Sequence, residues 1–384
     1  MKITAIEAIP FRLPPRRDFR WAGLEAGVGT FVLVRLHTDD GLVGIGDAAA
    51  LPDWGGDDQQ RGGETARTVQ HVVRDLLQPV LLGRDPLQLP ALMATCDLIV
   101  RGHSYAKTAI EMACLDLSGR AAGVPVYQLL GGLARDRVAV AHMIGLMPLD
   151  QAVEEAVAAV EEGVGALQIK GGVDPNHDVA AVKAIREAVG PKVVLRLDAN
   201  QGYRTAKRAL VVLARMDGAL DLVEQPVEGL EAMRAVTHRS SVGVIADESC
   251  WTATDALRIA TDHAADSLSI YLSKAGGLLR AQRVAAVAGA ARLSCDVNGS
   301  LESGIGNAAN LHMALATPEV ELASVIPVTA IAEDRRLRVA GTYYDDDIVD
   351  RSFEVEAGAL LPLQGAGLGV EVDEQKLNRY RIDG

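Results

Sequence analysis

From about residue 138 onward the apolar positions of the chain fall into one recurring unit. A short strand-like run is followed by a segment whose apolar residues recur at three- and four-residue steps, and then another run begins. The runs are VAVAHMIG from Val138, ALQIK from Ala166, VVLRLD from Val193, LDLVE from Leu220, VGVIAD from Val242, SLSIY from Ser267, RLSCDV from Arg292 and VELASVI from Val320. Helix-period stretches such as DQAVEEAVAAVEEG and LLRAQRVAAVAGAAR lie between them. Continuous apolar strands alternating with such helices predict a parallel sheet covered on its outer face. Eight units of this kind predict a closed (β/α)8 barrel.

Residues 1–130 read differently. ITAIEAIPFRL, TFVLVRLHTDDG and LVGIGDAA predict an antiparallel meander with a turn at Asp39–Gly41. Helical segments follow, from ETARTVQHVVRDLLQPVL to AKTAIEMACLDLSGRAAG. After residue 345 the barrel pattern is lost, and FEVEAGALLPLQGAGLGVEVDEQKLNRYR is expected to return to the first domain. The expected architecture is α/β: a TIM-type barrel over residues 131–345, with an α+β capping domain built from the N-terminal segment (1–130) and the C-terminal tail (346–384).

Composition narrows the function classes. A chain of 384 residues that is 49% hydrophobic supports a large core and a second, smaller domain. The net charge of -13 is dispersed and no dense Lys/Arg block appears, which argues against nucleic acid or an anionic membrane as partner. Cys96, Cys114, Cys250 and Cys295 lie far apart with no CxxC pair, as expected of buried thiols in a reducing compartment. The opening MKITAIEAIPFRLPPRRDF lacks a signal peptide's apolar core and no apolar run is long enough to span a bilayer, so a cytoplasmic protein is expected.

The chemistry lies at the strand ends. VVLRLD closes on Asp198, LDLVE on Glu224, and VGVIAD on Asp247, followed by Glu248. In a (β/α)8 barrel the C-terminal ends of all strands face one mouth, so three consecutive strand-end acids converge. Alone they would repel. A hard divalent cation relieves that repulsion, and all-oxygen ligation points to Mg²⁺. One strand earlier, ALQIK ends on Lys170, which enters the same mouth. A nearby dication favours the neutral amine, as a general base requires. A metal beside a lysine base suits removal of a proton next to a carboxylate, through an enediolate.

The segments LQIKGG, LRLDANQGY, LVEQPV, IADES, SKAGGL and GSLESGIGNAANLHMALA, in this order and spacing, resemble the muconate lactonizing subgroup of the enolase superfamily. The resemblance covers nearly the whole barrel and extends to DGLVGIGDA, AIEMACLDLSGRAAGVPVYQLLGG and the tail GAGLGVEVD. It implies a capping domain on a barrel, Mg²⁺ held by Asp198, Glu224 and Asp247, a small carboxylate substrate and a homo-oligomer. Asn200 and Glu248 match positions in the shells around that metal.

Two departures matter. The subgroup carries Lys-x-Lys at the end of strand two, where this chain has Gln168-Ile169-Lys170. The acid/base lysine is the one retained, and Gln168 alters its tuning. The subgroup also places a second lysine at the end of strand six, five residues before a Gly-Gly pair; that position holds Tyr271. Lys274 lies closer to Gly276 and Gly277 and is expected to point elsewhere unless the register slips. Losing the second lysine argues against two-base racemisation and leaves β-elimination or cycloisomerisation, with Tyr271 as a general acid or an oxygen-binding group. Racemisation or epimerisation of an amino-acid-like carboxylate, using Tyr271 or Lys274 on the opposite face, is the second reading. A non-catalytic binder of metal and carboxylate is the third.

Other candidates are less specific. His142 on the first strand reads more readily as a packing residue than as a ligand. Asp296 and Asn298 end strand seven as candidate substrate contacts, and Glu302 follows in a loop where helix capping is equally natural. Arg20 and Trp21 in FRWAG, and Asp53 and Trp54 in LPDWGGD, resemble in position the two loops that close over the barrel in this superfamily, with Arg20 available for a distal acid group. GIGDAA follows a hairpin strand and opens no helix, which excludes a dinucleotide loop.

Overall fold

A computed structural model describes residues 1–383 apart from 26, 58–60 and 330–336. The capping domain starts with an antiparallel meander of β1 (Ile3–Arg12), β2 (Thr30–Thr38) and β3 (Val43–Ala49). The β2–β3 turn closes through Gly41 N donating to Thr38 O, with Gly41 at φ +86°. The meander packs on helix α1 (Ser104–Ala122), most of whose side chains are buried. GIGDAA is therefore strand β3. A Cβ at Gly46 would stand 2.2 Å from Ala109 O of α1, so its glycines serve close strand-to-helix packing.

Among the described residues the barrel wall has seven regular parallel strands. A short β4 (Val138–Ala139) precedes β5 (Ala141–Ile144), β6 (Ala166–Lys170), β7 (Val194–Asp198), β8 (Leu222–Glu224), β9 (Gly243–Ala246), β10 (Ser267–Tyr271) and β11 (Ser294–Asn298), and β5 to β11 neighbour one another in sequence order. The outer layer contains α2 (Leu149–Glu161), α3 (Pro175–Val189), α4 (Ala206–Ala214), α5 (Leu230–Thr237), α6 (Ala253–Asp262), α7 (Leu278–Ala290) and α8 (Gly304–Ala316). Several of their starts are written locally. Asp174 caps α3 ahead of Pro175, Thr205 caps α4, and Thr252 with Asp255 forms a reciprocal capping box on α6.

Two strand expectations need correction. VAVAHMIG is split: β4 pairs antiparallel with β13 (Ala359–Leu360), itself paired with β12 (Val355–Glu356), and only β5 enters the barrel. VELASVI is not a regular strand. It closes the ring by two parallel bridges, Val320 to Cys295 and Ser324 to Val140. Side chains replace the rest of the ladder, since Val297 N donates to Ser324 Oγ and Val325 N to Asn298 Oδ1.

The chain's tail lies against the cap. Phe11 bridges to Arg381, Arg120 reaches Glu371, and Val126 N donates to Gly367 O. Glu111 of α1 presses on the start of α7: a Cβ at Gly277 would sit 1.3 Å from Glu111 Oε2. The Gly-Gly pair thus admits a cap carboxylate to a barrel helix. Among the described residues no helix is long and apolar enough to cross a membrane. All four cysteines are buried and free.

Candidate active site

Strand register sets the site in two levels. At the mouth, Lys170 pairs with Asp198 and Asp198 with Glu224, while Tyr271 pairs with Asn298. Asp247 follows β9 directly. Two residues back, Gln168 pairs with Arg196 and Ser269 with Asp296. Side chains two apart on a strand share a face, so both levels point into the barrel. His142 pairs with Leu167, one residue out of that phase, and faces the helices. Its Nε2 meets Glu155 Oε1 at 2.9 Å and its Nδ1 accepts from Gly341 N, so it is a packing residue. Burial depresses its pKa against the opposing pull of Glu155.

The mouth is a dense charge network. Lys170 Nζ donates to Asp198 Oδ2 at 2.5 Å and faces Asn200 Oδ1 at 3.4 Å. Gln168 Nε2 donates to Glu224 Oε2 at 2.7 Å and to Asp198 Oδ2 at 3.4 Å, bridging two acids where a lysine would add charge. Beneath them, Arg196 holds Asp296 and lies 3.3 Å from Glu224 Oε2. Asn200 Nδ2 donates to Glu248 Oε1 at 3.0 Å. Tyr271 donates its hydroxyl to Asp247 Oδ2 at 3.1 Å.

Lys274 does not point elsewhere. The chain turns into the short helix Leu272–Ala275 immediately after β10, which rolls this side chain back over the mouth. Its ammonium donates to the Asp247 carboxylate, to Asp247 O at 2.8 Å and to Ser269 O at 2.8 Å. No register slip is involved, because Tyr271 still ends β10 opposite Asn298.

The charges do not balance. Among the described residues, Asp198, Glu224, Asp247, Glu248 and Asp296 are buried with only Lys170, Arg196 and Lys274 as cations, so five carboxylates face three positive groups. Burial raises the pKa of Glu224, Asp247 and Glu248; neighbouring carboxylates add to it, against Arg196 at Glu224 and Lys274 at Asp247. Glu224 Oε1, Glu248 Oε2 and Asp296 Oδ1 are buried with no hydrogen-bond partner. Lys170 shifts upward: burial opposes its charge, but Asp198, Glu224 and Asp247 outweigh that. The depressed lysine expected from the sequence therefore requires the acids' charge to be neutralised.

These residues fit a divalent cation by chemistry. They offer hard oxygen donors, two orphaned glutamate oxygens and a deficit of two positive charges. They are not arranged as a filled coordination sphere, for among the described residues no three His, Cys, Asp or Glu side chains stand grouped to hold a metal. The acids are turned instead to Lys170, Gln168, Arg196 and Lys274.

Two cap loops roof the mouth. Trp54 stacks between Trp251 and Tyr271, with ring centroids at 5.6 Å and 5.3 Å. Trp21 lies 5.2 Å from Lys170 Nζ. Asp53 accepts from Glu25 N and so ties the two loops together. Arg20 does not join the site, because its guanidinium turns to Asp18 and is 56% exposed. Asn298 is spent on structure: its amide donates to Ser269 and Asp296 and accepts from Val325 N. Glu302 accepts from Ser300 N, and Ser303 rather than Glu302 caps α8. The motifs singled out neither Arg196 nor Trp251. Arg196 was detectable as the charged residue two before Asp198 on the same strand face.

A barrel whose strand ends gather three acids and a lysine beneath a two-loop roof has the layout of an acid/base enzyme. The sequence matches the family descriptions "Enolase C-terminal domain-like" over residues 151–376 and "Mandelate racemase / muconate lactonizing enzyme, N-terminal domain" over residues 9–131. The chain belongs to this mandelate racemase/muconate lactonizing family of the enolase superfamily, a metal-dependent group, and is an isomerase or lyase of that superfamily. It is 31% identical to muconate cycloisomerase 1 of Rhodococcus opacus over 379 residues, covering 97% of this chain and 96% of that protein. It is 32% identical to the L-Ala-D/L-Glu epimerase of Bacillus subtilis over 320 residues, covering 82% and 85%. The crystal structure of N-succinyl Arg/Lys racemase from Bacillus cereus superposes with a TM-score of 0.89 at 27% identity, covering 100% of this chain and 99% of that one.

Proposed function

We propose that this enzyme removes and returns the proton α to a substrate carboxylate through an enediolate, with Lys170 as its single acid/base, acting as a dehydratase-like lyase or a cycloisomerase. The observation that carries this reading is the division of labour at β10. Lys274, the nearest second amine, is locked by three acceptors, and the strand end itself presents the phenol of Tyr271. Burial drives that phenol's pKa up, and Asp247, Glu224 and Asp198 add to it as long as no divalent cation neutralises them, so the resting phenol is protonated and donates to Asp247.

Asp198, Glu224 and Asp247 would hold Mg²⁺, with Asn200 and Glu248 orienting them. A divalent cation bound there supplies electrostatic stabilisation of the negative charge that an enolised carboxylate gathers. The chain's own groups do the rest. Lys170, as the free amine, takes the α-proton, and the C–H electron pair forms the new C=C bond. In elimination, the leaving oxygen departs from the β-carbon and accepts a proton from the Tyr271 side. In cycloisomerisation the same lysine works in reverse, delivering a proton to carbon after the lactone oxygen attacks. Trp21 and Trp54 keep bulk water off the amine. Buried free thiols support a reducing, cytoplasmic setting, and a homo-oligomer belongs to the same proposal.

The relatives include racemases and epimerases, which makes proton return on the opposite face the competing reading. Proton NMR in D₂O with Mg²⁺ tests the role of Lys170. The panel holds hydroxy acids, N-acyl and cyclic amino acids, sugar acids and muconates. Turnover or α-deuteration by the native enzyme should vanish in Lys170→Ala. Undiminished exchange in that variant would remove Lys170 from the mechanism.

A further inference from the structure

Half of the residues lining the reaction pocket are apolar: Trp21, Leu51, Trp54, Met143, Leu301 and Val325. Among the described lining residues Lys170 is the sole ionisable group other than the Tyr271 phenol, and it is the proposed base. The remaining polar side chains are already occupied. Gln168 is spent on Glu224 and Asp198, Asn298 on Ser269, Asp296 and Val325 N, and Ser300 faces Tyr105 Oη at 3.4 Å. Arg20, the cation nearest in sequence to this roof, is turned out to Asp18.

Resting on the proposed function, we infer that the substrate carries one carboxylate on a compact, uncharged apolar body, which lies against Trp21 and Trp54. A second carboxylate would be buried without a partner cation, and a primary ammonium without a partner acid. Either stranded charge opposes binding. A flat or branched apolar body gains by contact with the indole faces instead.

Trp54 is the residue that enforces this choice. It separates the reaction pocket from a second, wetter cavity of about 480 Å³ bordered by Asp53, Arg61, Asn200 and Glu248. The free space on the reaction side is only about 20 Å³, room for one water, so a substrate enters by displacing the roof. All three tryptophans of the chain belong to this cluster: Trp21 and Trp54 line the pocket and Trp251 stacks on Trp54. Tryptophan fluorescence therefore reports on this site alone.

The test titrates the Mg²⁺-loaded enzyme with N-acetyl-leucine, N-succinyl-leucine and alanyl-leucine, which share one core and end in a neutral group, a carboxylate and an ammonium. Tryptophan fluorescence and calorimetry both follow binding. N-acetyl-leucine is expected to bind at least tenfold more tightly than either charged analogue. In Trp54→Ala that preference should shrink to within about threefold, because the wetter cavity is joined to the pocket, whereas Trp54→Phe should retain it. Equal or tighter binding of a charged analogue, or no binding of any of the three, overturns the inference. α-Deuteration is scored on the same samples. Selective binding without exchange would leave this substrate class standing and count against Lys170 chemistry instead.

Discussion

Lys274→Met is the sharpest structural test of the charge network. The side chain of Lys274 is 1% exposed and that of Asp247 is 0%. The substitution leaves a carboxylate buried without its ammonium, and frees the carbonyls of Asp247 and Ser269 from their donor. Removing one partner of a buried pair costs about 3–5 kcal/mol. An unfolding entropy of roughly 2.1 cal/mol/K per residue gives about 0.8 kcal/mol/K for a chain this long, so Tm should fall by about 4–6 °C. The assay is thermal unfolding in EDTA at low ionic strength. Lys207→Met, at an exposed position, serves as the control. Asp247→Asn added to Lys274→Met should recover at least about 1 kcal/mol, since the stranded charge is gone. A loss below about 1 °C, or no recovery in the double variant, would refute the claim that this ammonium anchors Asp247.

Three further outcomes follow from the geometry. Excess Mg²⁺ at about 100 times its Kd should stabilise the protein by about 2.7 kcal/mol, or roughly 3 °C in Tm, and Glu224→Gln should remove most of that gain. Gly277→Ala drives a Cβ into the Glu111 carboxylate, whereas Gly190→Ala, at φ +78° with open space around it, meets only backbone strain; chemical denaturation should show Gly277→Ala the costlier by at least about 1 kcal/mol. Asp47 is pushed up to about 7, mainly by burial and against the pull of its Ser303 hydrogen bond. A raised acid binds its proton more tightly when folded, so its contribution is present near pH 4 and is lost as pH climbs towards 7. Between pH 5 and 8 this amounts to about 2.7 kcal/mol, and Asp47→Asn should lessen the native enzyme's Tm decline over that range by about 3 °C.

What was legible in the sequence was whatever repeats. Asp198, Glu224 and Asp247 stood out because three consecutive units end on an acid, and barrel geometry turns that repetition into convergence. Lys170 was found the same way, whereas Tyr271 came from counting back from Gly276 and Gly277 to the place of the subgroup's second lysine. The eighth strand was over-read because VELASVI has a strand's composition, yet its pairing is carried by two bridges and by the side chains of Ser324 and Asn298. Lys274 was misplaced because the period changes from strand to helix within one residue of Tyr271, which redirects the side chain by a rotation that strand alternation does not anticipate. Arg196 and Asp296 were undervalued for a different reason. They meet 100 positions apart, and only closure of the barrel brings them under Glu224. Arg20 shows the converse, for its position beside Trp21 is right while its side chain is free to turn outward.

The single-base claim is tested most directly by the stereochemical course of exchange. A substrate found by the D₂O panel, supplied as one enantiomer with Mg²⁺, is followed by proton NMR together with chiral chromatography. The structure predicts elimination or lactone products, or α-deuteration with retained configuration, because Lys274 is locked and β10 ends on a phenol rather than an amine. Deuteration with inversion, lost in Tyr271→Phe or Lys274→Met, would contradict the account and show that a second base works from the opposite face.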